Sequence, residues 1–383
     1  MSDLTANRAP RPYPPLLLGS QLVFNIGFYA VVPFLAIFLR DDMLLSGWAI
    51  GLVIGLRTFS QQGMFLVGGA LADRFGARVI ILCGCVVRIS GYLLLALGDS
   101  LWPIILGACL TGVGGALFSP AIEALMAQAG TQSEKEGKRS RSEWFALFAI
   151  CGELGAVLGP LLGSVLAGYG FQRVALAGAG VFVIALIVLF FSLPPTQRNR
   201  GELQIAPWWE TFRQRRFVAF IIAYSAYLFS YNQLYLALPV ELHRSGSSEK
   251  DLGPLFVLAS LLVIGLQLPL ARFARRVGAA RMLPLGFALL AASFFSVALF
   301  ASSTPPEGWQ RLLPAISLIT LLTLGQMPLV PRGLALIPRF ASNPTLRAHY
   351  GALASLGCTA VLVVNLLPGL PLQRSLPPST PAV

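Results

Sequence analysis

Three ionisable residues lie deep inside apolar stretches of the sequence: Arg57, Arg88 and Glu153. Each is about ten residues from the start of its stretch, or about 15 Å along a helix. Because they share that depth, we expect them near the centre of a bilayer, where an ionisable group is costly and usually paired or functional. A carboxylate between two guanidinium groups can carry a coupling proton, bind a substrate or form a static ion pair, and the sequence leaves these alternatives open.

Glu153 is the candidate for proton coupling, since every other acid falls in a loop, in a tail or near a membrane edge. Glu123, for example, lies a few residues from the end of its stretch, and we expect it at the interface. The residues expected to line a substrate cavity are Asn25, Gln61, Gln62, Tyr227, Tyr231 and Asn232. Core packing and an interfacial aromatic belt explain the tyrosines equally well.

The chain that must position these residues is strongly apolar: 56% of its 383 residues are hydrophobic and 11% are charged, against about 25% charged in a soluble domain. Continuous apolar runs of roughly 20 residues are long enough to cross the hydrocarbon core as helices. We place eleven, near 15–39, 47–71, 79–98, 102–127, 143–168, 173–193, 217–240, 252–273, 281–302, 312–338 and 348–370. Because the runs do not alternate in polarity, they favour an all-α membrane protein over a barrel.

The net charge of +12 is distributed unevenly. Nineteen of the 28 lysines and arginines fall on the side of the N-terminal tail and six on the opposite side, and the remaining three lie within spans. This bias is the positive-inside rule, so the basic residues orient the chain rather than bind nucleic acid. The first fourteen residues have no apolar core and are interpreted as a cytoplasmic tail.

A polar interruption at 194–216 divides the chain into two related halves. "ALADRFGARVI" (70–80) aligns with "RFARRVGAARM" (272–282), which keeps Gly76 in register with Gly278. Transporters with such parallel repeats hold their substrate between the halves, near the middle of the membrane. The predicted parts are an N-terminal six-helix bundle with its tail (1–193), a linker on the cytosolic interface (194–216) and a C-terminal five-helix bundle (217–383).

The stretch 69–78, "GALADRFGAR", resembles the loop 2–3 signature of the major facilitator superfamily. Glycine at 69 allows neighbouring helices to approach and glycine at 76 permits a tight reversal. Asp73 is expected near the N-terminal end of the eleventh helix, where it can stabilise one conformational state electrostatically. An ordinary solvated turn is the alternative. The residues of this predicted conformational-switch motif are Gly69, Asp73, Arg74, Gly76 and Arg78.

In the fifth span, "GELGAVLGPLLG" (152–163) is similar to the fifth-helix signature of the drug/proton antiporters within that superfamily. Its matching residues are Gly155, Gly159, Pro160 and Gly163. Small residues at four-residue spacing make a smooth face for close helix packing, and Pro160 introduces a bend. The resemblance implies proton-coupled export of amphipathic drugs, whereas generic glycine-mediated packing is the alternative.

Two features depart from the family pattern. The arginine that the family carries four residues before Gly112 is Ala108 in this chain, so a proton-relay arginine cannot be transferred to the fourth span. The family also has twelve spans, whereas no further apolar run follows residue 370.

Other chemistries have little support in the sequence. It contains no phosphate-binding GxxxxGK[ST] loop, its two histidines lie near membrane edges, and its five cysteines fall inside spans without a CxxC pair. We therefore expect no enzyme activity, cofactor or metal, and we predict a secondary active transporter of the major facilitator type, with about eleven visible spans in two bundles. The expected partners are a small-molecule substrate, protons and the lipid bilayer.

The predicted protein is a multi-pass monomer of the bacterial inner membrane with a cytoplasmic N-terminus, and it exports amphipathic drugs by alternating access. A transporter of an endogenous organic anion or metabolite is the main alternative, because arginines outnumber carboxylates at mid-depth. From other classes, a transporter-like sensor that binds without flux and an intramembrane enzyme stay open.

Overall fold

The computed structural model describes residues 13–194, 209–245, 251–301, 308–341 and 345–355, and within these ranges the chain is helical and has no strand. The helices of the N-terminal half are α1 (Pro14–Asp41), α2 (Gly47–Gln62), α3 (Phe65–Phe75), α4 (Ala77–Leu97), α5 (Leu101–Lys135), α6 (Arg141–Ala167) and α7 (Phe171–Ser192). Those that follow are α8 (Glu210–Arg213), α9 (Arg215–Arg244), α10 (Leu252–Val277), α11 (Ala279–Ala301), α12 (Leu313–Leu336) and α13 (346–355).

Nine helical segments in these ranges are long and apolar enough to cross a membrane, with α2 and α3 together forming one of them. Large apolar side chains such as Val165 and Phe191 are exposed on their outer faces, as expected of a surface that contacts lipid. The prediction of an all-α membrane protein is confirmed. α9 lies over the seventh expected span, and 356–370 of the eleventh lies outside the described residues.

Two of the expected boundaries are wrong. The second span was expected as one run, 47–71, but the helix breaks at Gly63 and Met64 and continues to Phe75. A glycine weakens a helix locally, and Met64, with φ −98° and ψ 1°, leaves the helical region. The fourth span was expected to end at 127, whereas α5 extends to Lys135, because its polar last turns still favour a helix outside the lipid.

The repeat seen in the sequence recurs in the backbone. Gly76 joins α3 to α4 with φ 92°, and Gly278 joins α10 to α11 with φ 91°. Each amide donates a hydrogen bond to the carbonyl four residues earlier, at 2.9 Å and 3.0 Å respectively. Only glycine adopts such positive φ values readily. The two glycines therefore make the same reversal at equivalent places in the two halves.

The glycines of α6 pack this helix against α1. A Cβ atom added to Gly155 would lie 2.8 Å from the Leu22 carbonyl oxygen, and one added to Gly159 would lie 2.8 Å from the Ile26 carbonyl oxygen. Gly163 approaches the backbone of Ala30 in the same way. Since backbone atoms cannot move aside, the stripe requires glycine for the observed helix spacing.

The two halves meet through α6, which packs against α10 and α12, and through contacts of α3 with α13. The contacts of α3 with α13 lie toward the end of the molecule where α3 turns into α4 and α10 into α11. We call this end the basic end, because it carries most of the arginines and lysines. Of the expected linker, the structure describes Pro194 and 209–216, which comprise Trp209, α8, Gln214 and the first two residues of α9. Trp209 is exposed, and 195–208 lies outside the described residues.

Candidate functional site

A polar cavity of about 290 Å³ lies inside the N-terminal half. Its lining residues come from α1, α2, α4, α5 and α6: Gln21, Phe24, Asn25, Phe28, Tyr29, Arg57, Thr58, Gln61, Gln62, Arg88, Phe118, Ser119, Ile122, Glu123 and Phe148. The described lining residues of this cavity all belong to the N-terminal half, and the cavity expected between the two halves stays a prediction.

Arg57 lies on the wall that α2 contributes to the cavity and is 6% exposed. Its Nη2 donates a hydrogen bond of 2.6 Å to Gln61 Oε1, one helical turn later. The guanidinium group also lies over the Phe28 ring, 4.6 Å from the ring centroid. An amide and an aromatic face therefore stabilise the cation, and its Nε has no hydrogen-bond partner in the described structure.

Arg88 is more deeply buried, at 2% exposure. Four rings from four helices surround its guanidinium carbon at 5.0–5.8 Å: Phe28, Tyr92, Phe118 and Phe182. Its Nε and Nη2 have no hydrogen-bond partner in the described structure. Arg57 and Arg88 share the Phe28 ring, so two cations lie close together in a largely aromatic pocket.

A static ion pair between Glu153 and these arginines was one of the alternatives that the sequence left open, and the described structure does not form it. In the described part of the chain, neither Arg57 nor Arg88 forms an ion pair with a carboxylate. The α6 residue that lines the cavity is Phe148, and Glu153 is five positions further along, about 140° around the helix. Equal depth in the membrane therefore does not place the three charges on facing surfaces.

Glu153 instead lies at the contact between the halves. Its Oε2 accepts a hydrogen bond of 3.1 Å from the Ser260 hydroxyl on α10. Nearer the basic end, Glu143 on α6 pairs with Arg275 on α10 at 3.5 Å. Two acids of α6 thus bind the same helix of the opposite half.

Glu123 was expected at the membrane interface, but it lines the polar cavity together with Arg57 and Arg88. The expectation failed because α5 continues well past the end of its apolar run, which places Glu123 twelve residues before the end of the helix. The cavity consequently contains one carboxyl group and two guanidinium groups.

The other cavity candidates divide into three groups. Asn25, Gln61 and Gln62 line the cavity, and Asn25 Nδ2 donates to the Gln21 carbonyl at 2.8 Å. Tyr227 is buried in the C-terminal half with its ring 5.2 Å from that of Tyr224, so it packs in the core. The side chains of Tyr231 and Asn232 lie outside the described part of the structure.

Asp73 caps the start of α13. Its Oδ2 accepts from the Ala348 amide at 2.8 Å, and its Oδ1 accepts from the Arg347 amide at 3.1 Å. Arg347 Nη1 lies 3.3 Å from the same Oδ1. A carboxylate at a helix N-terminus satisfies amide groups that lack partners and interacts favourably with the helix dipole. Asp73 therefore connects the N-terminal half to the eleventh expected span.

The helices around this contact approach closely enough to require glycine. A Cβ atom on Gly69 would overlap the Arg347 backbone, and one on Gly351 would overlap that of Phe65. The Leu66 amide donates to Ser355 Oγ at 2.9 Å. α3 and α13 are thus in backbone contact on the basic side of the molecule.

The two arginines of the motif serve the N-terminal half itself. Arg78 Nη2 donates to the Phe190 carbonyl at the end of α7 at 2.6 Å. Arg74 is exposed and lies over the ring of its neighbour Phe75 at 5.2 Å.

Sequence reasoning missed the aromatic partners of Arg88 and the presence of Glu123 in the cavity. Phe24 and Phe28, one turn apart on α1, were the available signal for an aromatic wall. No group of three or more residues that could hold a metal ion occurs among the described residues.

Comparison with known proteins places these features in context. The profile of the family described as "Major Facilitator Superfamily" matches residues 17–364. The MFS-type transporter Rv0849 of Mycobacterium tuberculosis (strain H37Rv) is 36% identical over 368 residues, which cover 92% of this chain and 84% of that protein. Multidrug resistance protein MdtH of Photorhabdus laumondii is 31% identical over 349 residues, with coverage of 89% and 82%. The crystal structure of the human organic anion transporter MFSD10 (TETRAN) matches with a TM-score of 0.72, 20% identity and 92% coverage of each chain.

Proposed function

Since the chain belongs to the major facilitator superfamily, we propose that it is a secondary active transporter that exports amphipathic small molecules in exchange for protons. The observation that carries the proposal is the hydrogen bond between Glu153 and Ser260, which places a protonatable group at the contact between two halves that must separate. The basic end is the cytosolic end in this proposal, and the N-terminus is cytoplasmic.

The observed conformation is closed at the basic end, where Asp73 joins α13 and Glu143 joins Arg275. Alternating access requires these contacts to break in the opposite state, while the two halves keep their internal packing. The glycine stripe of α6 against α1 supports such rigid-body motion, because it fixes α6 within the N-terminal half.

Proton coupling follows from the chemistry of the Glu153 carboxylate. As an anion it accepts a charge-assisted hydrogen bond from Ser260, which is roughly twice as strong as a bond between neutral groups. A proton that enters from the outside neutralises the carboxylate and weakens the link between α6 and α10. The basic end then opens to the cytosol, where the proton leaves and substrate binds.

The direction of transport rests on resemblance. The Gly155–Gly163 stripe with Pro160 is similar to the antiporter signature, and relatives that carry the name multidrug resistance protein match most of the chain. Both support export of amphipathic compounds through a cavity with aromatic walls.

Transport driven by a pH gradient is the first test. In proteoliposomes with an acidic lumen, the protein should accumulate ethidium or norfloxacin, and nigericin should abolish the accumulation. A gradient of one pH unit is about 1.4 kcal/mol, which supports roughly tenfold accumulation for one proton exchanged per substrate. Protein-free vesicles are the control. Accumulation that is insensitive to nigericin, or absent for both compounds, would contradict proton-coupled drug export.

A second candidate substrate, an organic anion, is favoured by Arg57 and Arg88. Two buried guanidinium groups face a single carboxyl group in the cavity, which leaves an excess of positive charge for an anionic ligand. The guanidinium group of Arg57 is a forked donor suited to a carboxylate, and in this conformation its Nη2 donates to Gln61 instead.

Replacing Arg57 by glutamine should therefore weaken the binding of 5-carboxyfluorescein by about tenfold and leave ethidium binding unchanged, since the loss of one charge-assisted hydrogen bond is about 1.5 kcal/mol or more. Fluorescence polarisation with purified protein measures both ligands. Arg281→Gln, on the exposed start of α11, is the matched control. Equal losses for both probes, or no loss for the anion, would count against an anionic substrate.

A further inference from the structure

A second cavity, of about 280 Å³, lies at the basic end between the two halves. Four arginines line it: Arg141 at the start of α6, Arg275 near the end of α10, Arg332 on α12 and Arg339 just beyond α12. It is separate from the polar cavity of the N-terminal half, with which it shares no lining residue.

The acids around this cavity do not balance its arginines. Glu134 is the carboxylate in the lining, and it is exposed. Glu143 pairs with Arg275 at 3.5 Å, but its carboxylate also accepts from the Ser140 amide that caps α6. Four guanidinium groups thus face two carboxylates, so the cavity has an excess of positive charge.

The burial of Arg332 without a counter-ion is the observation that points to a ligand. Its side chain is buried, at 9% exposure, and its Nε has no hydrogen-bond partner in the described structure. Arg141 is only partly buried and lies near Glu134, but its Nε also lacks a partner in the described structure, and its Nη1 donates to the neutral Thr131 hydroxyl at 3.0 Å. A buried cation without a counter-ion is costly, and guanidinium groups bind phosphate through paired hydrogen bonds.

We propose that this cavity is a phosphate-binding site that bridges the two halves and is complete only while the basic end is closed. Arg141 belongs to the N-terminal half and the other three arginines to the C-terminal half. Separation of α6 from α10 and α12 divides the cluster. A ligand that binds the closed state alone shifts the population toward that state, so phosphate slows the opening of the basic end. The ligand is the headgroup phosphate of an anionic lipid or a soluble phosphate compound.

Thermal unfolding in nanodiscs tests the site without any transport assay. In phosphatidylcholine discs, inorganic phosphate should raise the unfolding midpoint of the wild type saturably, whereas sodium chloride of equal ionic strength should not. Arg332→Gln should require about tenfold more phosphate for the same shift, as expected when a single charged contact is lost. Arg281→Gln should respond as the wild type does. If Arg332→Gln does not fold, Arg339→Gln, at the exposed rim, must show the weakened response.

Discs that contain phosphatidylglycerol distinguish the two sources of phosphate. If a lipid headgroup fills the site, inorganic phosphate no longer raises the unfolding midpoint of the wild type in these discs. Phosphatidylglycerol should then raise the midpoint of the control Arg281→Gln but not that of Arg332→Gln. A response that persists identifies soluble phosphate as the ligand. The proposal is overturned if the wild type shows no saturable response in phosphatidylcholine, or if the arginine variants respond as strongly as the wild type.

Discussion

Replacing Asp73 by asparagine should shift the protein toward conformations open at the basic end by about tenfold and should lower transport accordingly. The carboxylate accepts hydrogen bonds from both the Arg347 and the Ala348 amides, and its charge faces the N-terminus of α13. Asparagine keeps one acceptor oxygen, loses the charge and turns an NH₂ group toward the second amide. Hydrogen bonds to charged groups are worth about 1.5–3 kcal/mol, and a tenfold change needs about 1.4 kcal/mol.

Spin labels at Lys135 and Arg281 report this shift directly. Both residues are exposed at the basic end, one at the end of α5 and the other at the start of α11, so their separation increases when the halves part. Asp99→Asn makes the same chemical change at an exposed site and should alter nothing. If the label distances and the transport rate are both unchanged in Asp73→Asn, the motif is an ordinary turn without a conformational role.

Arg347→Gln separates the two parts of the Asp73 contact. This variant removes the ion pair at 3.3 Å but keeps both backbone amides, so its effect should be smaller than that of Asp73→Asn. An equal effect would assign the stabilisation to the ion pair rather than to the helix N-terminus.

The partner of Asp73 was predictable because the motif and the helix start are both local signals. The turn at Gly76 fixes which end of the membrane Asp73 occupies, and the apolar run that begins near residue 348 fixes where the eleventh helix starts. The helix N-terminus then supplies the attraction without any knowledge of side-chain packing. The all-helical fold was predictable for a similar reason. Continuous apolar runs mark the segments that cross the lipid, and backbone groups in lipid must form their hydrogen bonds within the helix.

The site itself was less predictable. Counting residues along a span gives the depth of Glu153, but the direction of its side chain depends on how α6 is rotated within the bundle. Arg88 illustrates the same limit, because its four ring partners come from four helices and only the tertiary packing brings them together. Glu123 was misplaced because hydropathy marks where the lipid ends and not where α5 ends.

Replacing Glu153 by glutamine should abolish transport driven by a pH gradient and leave the fold intact. Glutamine resembles the protonated acid and cannot release a proton, so the exchange loses its driving ion. Its Oε1 still accepts a hydrogen bond from Ser260. A glutamate that neutralised a buried arginine would instead cost about 3–5 kcal/mol on replacement, but no arginine lies at ion-pair distance from Glu153 in the described structure. The unfolding midpoint should therefore stay close to that of the wild type.

Two companion variants separate proton binding from helix contact. Ser260→Ala removes the hydrogen bond across the halves but keeps the carboxylate, so it should retain proton coupling and change only the balance of states. Glu123→Gln tests the acid that lines the polar cavity. If Glu153 is the coupling acid, Glu123→Gln can weaken substrate binding but should still release protons.

Proton release on ligand addition decides between these acids. Ethidium added to weakly buffered, detergent-purified protein should release protons from the wild type and from Ser260→Ala, but not from Glu153→Gln, as a pH indicator would record. Binding of ethidium, followed in parallel by its own fluorescence, must persist in all variants for the comparison to hold. Equal proton release from wild type and a well-folded Glu153→Gln would remove Glu153 from the coupling mechanism. If Glu123→Gln alone loses proton release, Glu123 is the coupling acid. The coupling site then lies in the cavity that contains Arg57 and Arg88, where substrate and proton would compete for the same charged group.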